Sequence, residues 1–531
     1  MKRKMITLLL GGALLLSCVT GCGNSKTAGS AVEGADQTAV SEIEQGNVNT
    51  SVSEETSNNE IVEIVWQYPA TSEVGEGFYR MEAALNEMME KDIGVHVTFE
   101  TCDLLNSQND ATLMVSAGEQ LDICLTAFTS ARNLIDSGLV IPLDDLITAY
   151  GQDIQTQGPE AVESCRFDGK IYGVPPLNTV VKSYGYNMKV EYAEKYDCMP
   201  EVDKIYTLDE MEAIFDKIRE GEGEDTLFFV PWNNTYEPLN YNLCEYDKMG
   251  GDMAWGTLML NRDNENTKIV NLFETEEYSN FCKKMYEWAQ KGYISADAAV
   301  TTDAPNDICK RDNVVGTFAY GCSDPRIAEP TTWGSETVVF NTVAPFIPGG
   351  NSDFMWHVTI NSEHPEKAME ALNYIYKNKD AAVLIQFGFE GEEYEIVETE
   401  GDNALARYLS DSPSDLPYYN VYGMWGNRLK WPVFEPADIM ANQIKEDIEK
   451  NLPDSRKSPA IGYSFNSKSV AAELAAVQTV IAQYAPSLNA GALDPEKALP
   501  EFISALKDAG IDDVIAENQK QLDDFLEQKG K

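Results

Sequence analysis

Two hydrophobic periods alternate along the first strongly patterned stretch of this chain. Ile61-Val62-Glu63-Ile64-Val65-Trp66 is a β-branched run with the composition of a strand, followed by Pro69 and a glycine-containing turn. The period then changes. Phe78, Met81, Leu85, Met88 and Met89 recur at spacings of three and four, which marks one buried helix face, until Gly94 ends the pattern. Val95, Val97 and Phe99 alternate as a strand, a helix is predicted over Asn109 to Ala117, and another strand over Leu121 to Leu125. Strand, helix, strand, helix, strand at this spacing predicts a parallel α/β sheet with right-handed crossovers. The alternation recurs less cleanly through the middle, with helices near Leu208–Arg219, Glu276–Lys291 and Pro365–Lys377. After about Ala437 the pattern is almost wholly helical: Val470, Leu474, Val477 and Ile481 share one face, and Ile511, Val514, Ile515, Leu522 and Phe525 another. No repeat of fixed period is visible.

Composition sets limits on partners. With 87 acidic residues against 40 basic ones the formal charge is −47, which repels phosphate backbones and anionic headgroups, so nucleic acid is excluded as a partner. The same acidity does not imply disorder, because 43% of residues are hydrophobic and 25 Tyr, 19 Phe and 8 Trp supply a large core. About 470 residues carry this pattern, more than one core usually organises, which points to two lobes. Ten cysteines are present, but two lie near the amino terminus and the other eight have no regular spacing, so no pairing follows from sequence. Cys124, inside Ile123-Cys124-Leu125, reads as a small buried hydrophobe. There is no CxxC and no HExxH, and His96, His357 and His364 are dispersed; neither a metal nor a cofactor is assigned.

The amino terminus adds an address. Lys2, Arg3 and Lys4 precede the apolar run Ile6 to Leu16, too short for a comfortable permanent span, and Val19-Thr20-Gly21-Cys22 follows. This resembles a bacterial lipoprotein signal. The resemblance implies removal of residues 1–21 and acylation of Cys22, with two or three chains giving durable anchoring on the outer face of the cell membrane. Leu15-Leu16-Ser17-Cys18 is a poorer second site. Residues 22–60 are rich in Ser, Thr, Gly, Asn and Glu and contain no aromatic residue, the composition of a flexible tether with an r.m.s. reach of about 30–35 Å.

Several short motifs occur in a telling order: Ala117-Gly118-Glu119-Gln120-Leu121-Asp122-Ile123, Asp136-Ser137-Gly138-Leu139-Val140-Ile141-Pro142-Leu143, and Phe167-Asp168-Gly169-Lys170-Ile171-Tyr172-Gly173-Val174-Pro175. They are followed by Tyr186-Asn187, Lys291-Gly292-Tyr293-Ile294, Val315-Gly316-Thr317-Phe318 and His364-Pro365-Glu366-Lys367-Ala368. Together they resemble the carbohydrate-type extracellular solute-binding proteins of ABC importers, the family that includes maltose-binding protein. Tyr422-Gly423-Met424-Trp425-Gly426-Asn427 and Lys457-Ser458-Pro459-Ala460-Ile461-Gly462-Tyr463 look like a lipoprotein subgroup from Gram-positive bacteria.

The resemblance implies a type II two-lobed α/β fold with a hinge and a helical carboxyl-terminal part, closing on ligand by lobe rotation. By analogy the chain leaves lobe one near Val174, returns near Phe346 and crosses again near Gly391. Lobe one is then 61–173 with 346–390, and lobe two 174–345 with 391–531. Pro175-Pro176 and Pro345 are hinge-proximal. The implied activity is capture of a carbohydrate, an oligosaccharide, by a monomer that delivers it to ABC permease subunits, touching the membrane only through its lipid.

Sugars present apolar CH faces and a rim of hydroxyls, so a sugar site needs aromatic platforms beside amide, carboxylate and guanidinium groups, on loops at strand ends. Tyr68 follows the first strand, Phe128 and Arg132 follow the Asp122 strand, and Asn178 follows the first hinge. Trp232, Asn233 and Asn234 form an aromatic and amide cluster, while Tyr320 and Asp324 follow the Val315–Phe318 segment. Trp425 and Asn427 sit among glycines that let a backbone approach a ligand. Core packing is the competing role for each ring, and Trp66, inside a strand, is assigned to the core. Two other function classes fit the address: a surface-anchored glycan hydrolase, for which no GxSxG, HExxH or P-loop is present, and a non-transport glycan-binding adhesin.

Overall fold

The computed structural model describes residues 61–70, 74–201, 204–231, 246–249, 257–259, 267–320, 324, 327, 333, 335–350, 354–410 and 412–530 of the 531-residue chain. The signal segment, Cys22, the tether, Trp232, Asn233 and Asn234 lie outside them.

The opening pattern forms as its periods dictate. β1 (Val62–Pro69) leads into α1 (Glu76–Ile93), which buries Phe78, Met81, Leu85 and Met89 and ends at Gly94 in the left-handed region (φ 66). β2 (Val95–Cys102), α2 (Ser107–Ala117) and β3 (Ile123–Ala127) follow. β1 runs parallel to both β2 and β3, which places β1 between them. The strand Phe354–Val358 closes the four-stranded sheet antiparallel to β3. Polar side chains inside this layer are matched to specific partners. Gln67 of β1 donates to the Ser107 carbonyl (2.9 Å) and accepts from the Leu125 amide (2.9 Å), tying α2 and β3 to β1.

The second sheet differs from the parallel pattern of the first. Lys182–Lys189 lies between Thr337–Phe346 and Gly316–Tyr320, antiparallel to both. Helices Leu208–Glu222 and Glu276–Gln290 pack on it through Phe215 against Tyr186 and Trp288 against Phe318, and Ala471–Asn489, Pro495–Asp508 and Ile511–Gln528 extend the same core. Leu208–Glu222 starts in a capping box, with the Thr207 hydroxyl accepting from the Glu210 amide (3.2 Å) and Glu210 accepting from the Thr207 amide (2.9 Å).

Two hydrophobic cores define two lobes. The first contains side chains from Ile64 to Leu177 and from Met355 to Trp431; the second contains side chains from Tyr186 to Phe340 and from Ala460 to Leu526. Core membership does not follow the expected division in every segment. Val174 and Leu177 belong to the first core, as do Tyr394, Ala406, Tyr418, Met424, Trp425 and Trp431, all assigned by analogy to lobe two. The cause is local. Tyr394–Glu400, Asn403–Tyr408 and Val433–Phe434 form a small sheet whose Phe434 packs on Phe387 (ring centroids 4.5 Å apart), at the end of the helix Lys379–Phe387. The segment from Tyr394 to Phe434 therefore packs with the first core. Helix Ala441–Asn451 follows, with Glu449 accepting from the Thr179 hydroxyl (3.0 Å) on the first crossing.

A buried histidine sits in the sheet of the first lobe. His357 is fully buried; its Nδ1–H donates to the Tyr172 carbonyl (2.7 Å), so Nε2 accepts from the Thr126 hydroxyl (2.9 Å). Burial pushes its pKa down to about 4 from an ordinary 6.5. The unfolded chain then binds a proton between those values that the folded chain refuses, so stability rises with pH across that window and is flat above it. Lowering the pH from 7 to 5 is expected to remove about 2 kcal/mol through this group. Denaturant titrations of the wild type and His357→Gln at pH 7, 6 and 5 check this, and parallel slopes would exclude it.

Candidate functional site

Between the lobes lies a cavity of ≈2110 Å³, large enough for several sugar rings. Its floor is the crossing segments Pro175–Val180 and Ile347–Gly350, and both lobes supply its walls. On the lobe-one side β3 ends at Ala127, and the next residue turns the chain sharply. Phe128 has φ 55, a left-handed conformation that is an outlier for a bulky side chain and costs about 1–3 kcal/mol. The turn leaves its ring 56% exposed on the cavity wall, braced edge-on by Phe354 with centroids 4.6 Å apart.

Polar side chains line the same cavity. Arg132 is 7% exposed; its Nη1 donates to Asp168 (2.5 Å) and its guanidinium lies over the Phe167 ring (5.3 Å). Nη2 reaches Ser464 of the other lobe at 3.5 Å, and Nε–H, buried, finds no acceptor among the described residues. Asp168 occupies the left-handed first position (φ 48) of the Asp168-Gly169 turn, the residue pair such a hairpin favours. Asn178, which lines the cavity, has a buried Oδ1 with no donor among the described residues, and such a group is costly to bury unmet. Asn427 also lines the cavity; its amide donates to Gln157 (3.1 Å) and its oxygen accepts from the Leu429 amide (3.1 Å).

The structure thus brings Phe128, Arg132, Asn178 and Asn427 to one cavity. Two expected platforms are elsewhere. Trp425 is fully buried in the core of the first lobe, against Trp356 (4.9 Å), Tyr68 (5.4 Å, stacked) and Trp66 (5.5 Å). Its flanking glycine serves packing, not ligand approach: a Cβ on Gly426 (φ 66) would lie 2.3 Å from the Ile375 carbonyl oxygen of the helix Pro365–Lys377. Tyr68 is likewise buried, its hydroxyl bonded to that of Tyr418 (2.8 Å). Asp324 is half-buried and does not line the cavity, and the Tyr320 side chain lies outside the described residues. Phe354, Asp168, Tyr184 and Ser464 are the additions that sequence reasoning missed. Asp168 stood inside the Phe167–Pro175 motif, but nothing in the sequence pairs it with Arg132. Among the described residues no group of His, Cys, Asp or Glu is placed to hold a metal ion, and no helix is long and apolar enough to cross a membrane.

Known proteins share this architecture. A carbohydrate ABC transporter substrate-binding protein of Streptococcus pneumoniae is 25% identical over 465 residues, covering 84% of this chain and 88% of that protein. The crystal structure of an N-glycan transport solute-binding protein from the same organism superimposes with a TM-score of 0.74 at 20% identity, over 88% of this chain and all of the other. Structures of that protein with Man1GlcNAc and Man5GlcNAc give 0.67 and 0.65. A kestose complex of another pneumococcal ABC-transporter substrate-binding protein gives 0.59 at 15% identity, again over 88% of this chain and all of the other. Residues 459–527 match a domain of unknown function. The family model for bacterial extracellular solute-binding proteins matches residues 83–386, more than half of the chain, and the protein belongs to that family.

Proposed function

We propose that this protein captures an oligosaccharide in the interlobe cavity and delivers it to the permease of an ABC importer, without chemical conversion. The observation that carries the reading is Phe128: an exposed aromatic residue held in a left-handed conformation on the wall of a ≈2110 Å³ cleft that Arg132, Asn178 and Asn427 also line. Apolar stacking surface in a cleft that also carries guanidinium and amide groups is what a sugar ring requires. The pneumococcal relatives, one named for carbohydrate transport and one crystallised with mannose-containing glycans, support the same ligand class. Catalysis has no comparable support: His357, the histidine in an apolar setting, is held in the sheet by Thr126 and Tyr172. Anchoring through diacylated Cys22, with residues 22–60 as tether, completes the proposal and places the cleft outside the cell membrane as a monomer.

A thermal-shift panel of Man1GlcNAc, Man5GlcNAc and kestose tests the central part. A binder at 100 times its dissociation constant is expected to add about 2.7 kcal/mol to native stability. The sugar should then be recovered intact after prolonged incubation. No shift with any of the three, or steady protein-dependent cleavage, would overturn the reading. The intact mass of membrane-extracted protein checks the anchor: lipid on Cys18, or none, would refute it.

A further inference from the structure

The segment matching a domain of unknown function has a defined place at the cleft. Its leading loop, from Ala460 to the helix that begins at Ala471, runs past three parts of the molecule in turn. At the hinge, the Gly350 amide donates to the Ala460 carbonyl (3.0 Å) and the Gly462 amide to the Gly350 carbonyl (2.9 Å). Toward lobe one, Ser464 meets Arg132 (3.5 Å), Lys468 pairs with Asp136 (2.9 Å), and the Gly462 backbone lies against Glu163 and Ser164. On its own side the loop is pinned to the last helix. The Tyr463 hydroxyl donates to Asn518 Oδ1 (2.6 Å), and Gln521 both accepts from the Asn466 amide (2.8 Å) and donates to its carbonyl (2.8 Å). Between these attachments Ile461, Gly462, Tyr463, Ser464, Phe465 and Ser467 line the cavity.

We propose that this loop is a specificity-determining wall of the cleft and that forming it is the role of the carboxyl-terminal domain. The proposal rests on the cleft being a glycan site. A sugar ring stacked on Phe128 and bonded to Arg132 directs its next residues along the wall that begins at Ser464. Because Tyr463 and Asn466 are fixed by Asn518 and Gln521, the loop holds its shape independently of ligand, so the last helix sets how far a glycan extends past Arg132. The small, hydroxylated side chains of Ser464 and Ser467, both half-buried, leave room there and offer hydrogen bonds. A short glycan that ends near Arg132 does not reach them.

Ser464→Trp, made in the full mature chain, tests this by filling the space. Affinities for Man1GlcNAc, Man5GlcNAc and kestose are measured by calorimetry beside the wild type and Phe128→Ala. The expected result is a loss of about tenfold or more for Man5GlcNAc and a clearly smaller loss for Man1GlcNAc. Ser467→Trp carries the same expectation if Ser464→Trp fails to fold. If neither variant folds, amide exchange of the wild type decides, with protection of residues 461–467 by Man5GlcNAc expected and unchanged exchange overturning the proposal. Wall variants that bind every probe within about twofold of wild type, while Phe128→Ala binds weakly, remove the wall and leave the site. A wild type that binds none of the three removes the glycan reading and the wall with it.

Discussion

Trp425→Ala is expected to destabilise the first lobe by about 3–5 kcal/mol, the range for deleting a fully buried large aromatic side chain. The ring lies at the centre of an aromatic cluster, within 6 Å of Trp66, Tyr68, Phe99 and Trp356 by centroid distance, and no part of it is exposed. Little can collapse into the space. β1 carries Trp66 and Tyr68 in register with β2, and the Trp356 indole N–H is bonded to the Met424 carbonyl (2.9 Å). The strands therefore hold the cavity open, and residual cavity volume adds to the lost transfer free energy. Glycan affinity of the folded fraction should change little, since the ring does not face the cleft. Denaturant unfolding and calorimetry on the same variant separate the two effects. A large loss of affinity at unchanged stability would show that the ring meets ligand after all.

Phe128→Ala should behave in the opposite way. On the proposed reading this exposed ring is the stacking platform of the cleft, so its removal is expected to weaken binding of the glycan probe by about 2–4 kcal/mol, the range of an aromatic hot spot. Stability should move little, because a ring that is 56% exposed gives up little burial. Phe128→Gly sharpens the test. Glycine adopts φ 55 without steric penalty, so this variant loses the same affinity while relieving the backbone strain. A higher unfolding midpoint with lower affinity would identify the strain as the cost of presenting the ring. Unchanged affinity in both variants would place the platform elsewhere.

The family and the first βαβαβ unit were legible in sequence because their determinants are local. Periods of two and of three to four recur over short windows, Gly94 ends α1 where no other residue takes φ 66 as readily, and motif order survives without any tertiary information. That Phe128, Arg132 and Asn178 line the cavity was legible for a related reason. They lie just past strand ends or a hinge, and connections at such points are where an α/β fold exposes side chains to ligand.

Trp425 and Asp168 show where sequence stops. Glycines beside a tryptophan fit a backbone making room for ligand and equally a backbone pressed onto a neighbouring helix; only the position of the Ile375 carbonyl, fifty residues away in the chain, decides for the second. Asp168 reads as an ordinary turn residue until the fold brings Arg132, thirty-six positions earlier, within 2.5 Å. The place of Trp431 and Phe434 in the first core likewise follows from their contacts with Phe387, a choice made by packing among rings whose local sequence is compatible with either lobe. Sequence by itself determined the family, the alternation of elements and which strand ends carry candidate ligand groups, since these depend on periodicity and steric preference within a few residues. The tertiary structure decided which aromatic rings are core and which line the cavity, which charges are partnered and which core each segment joins, because each of those is a contest for the same buried space between segments far apart in the chain.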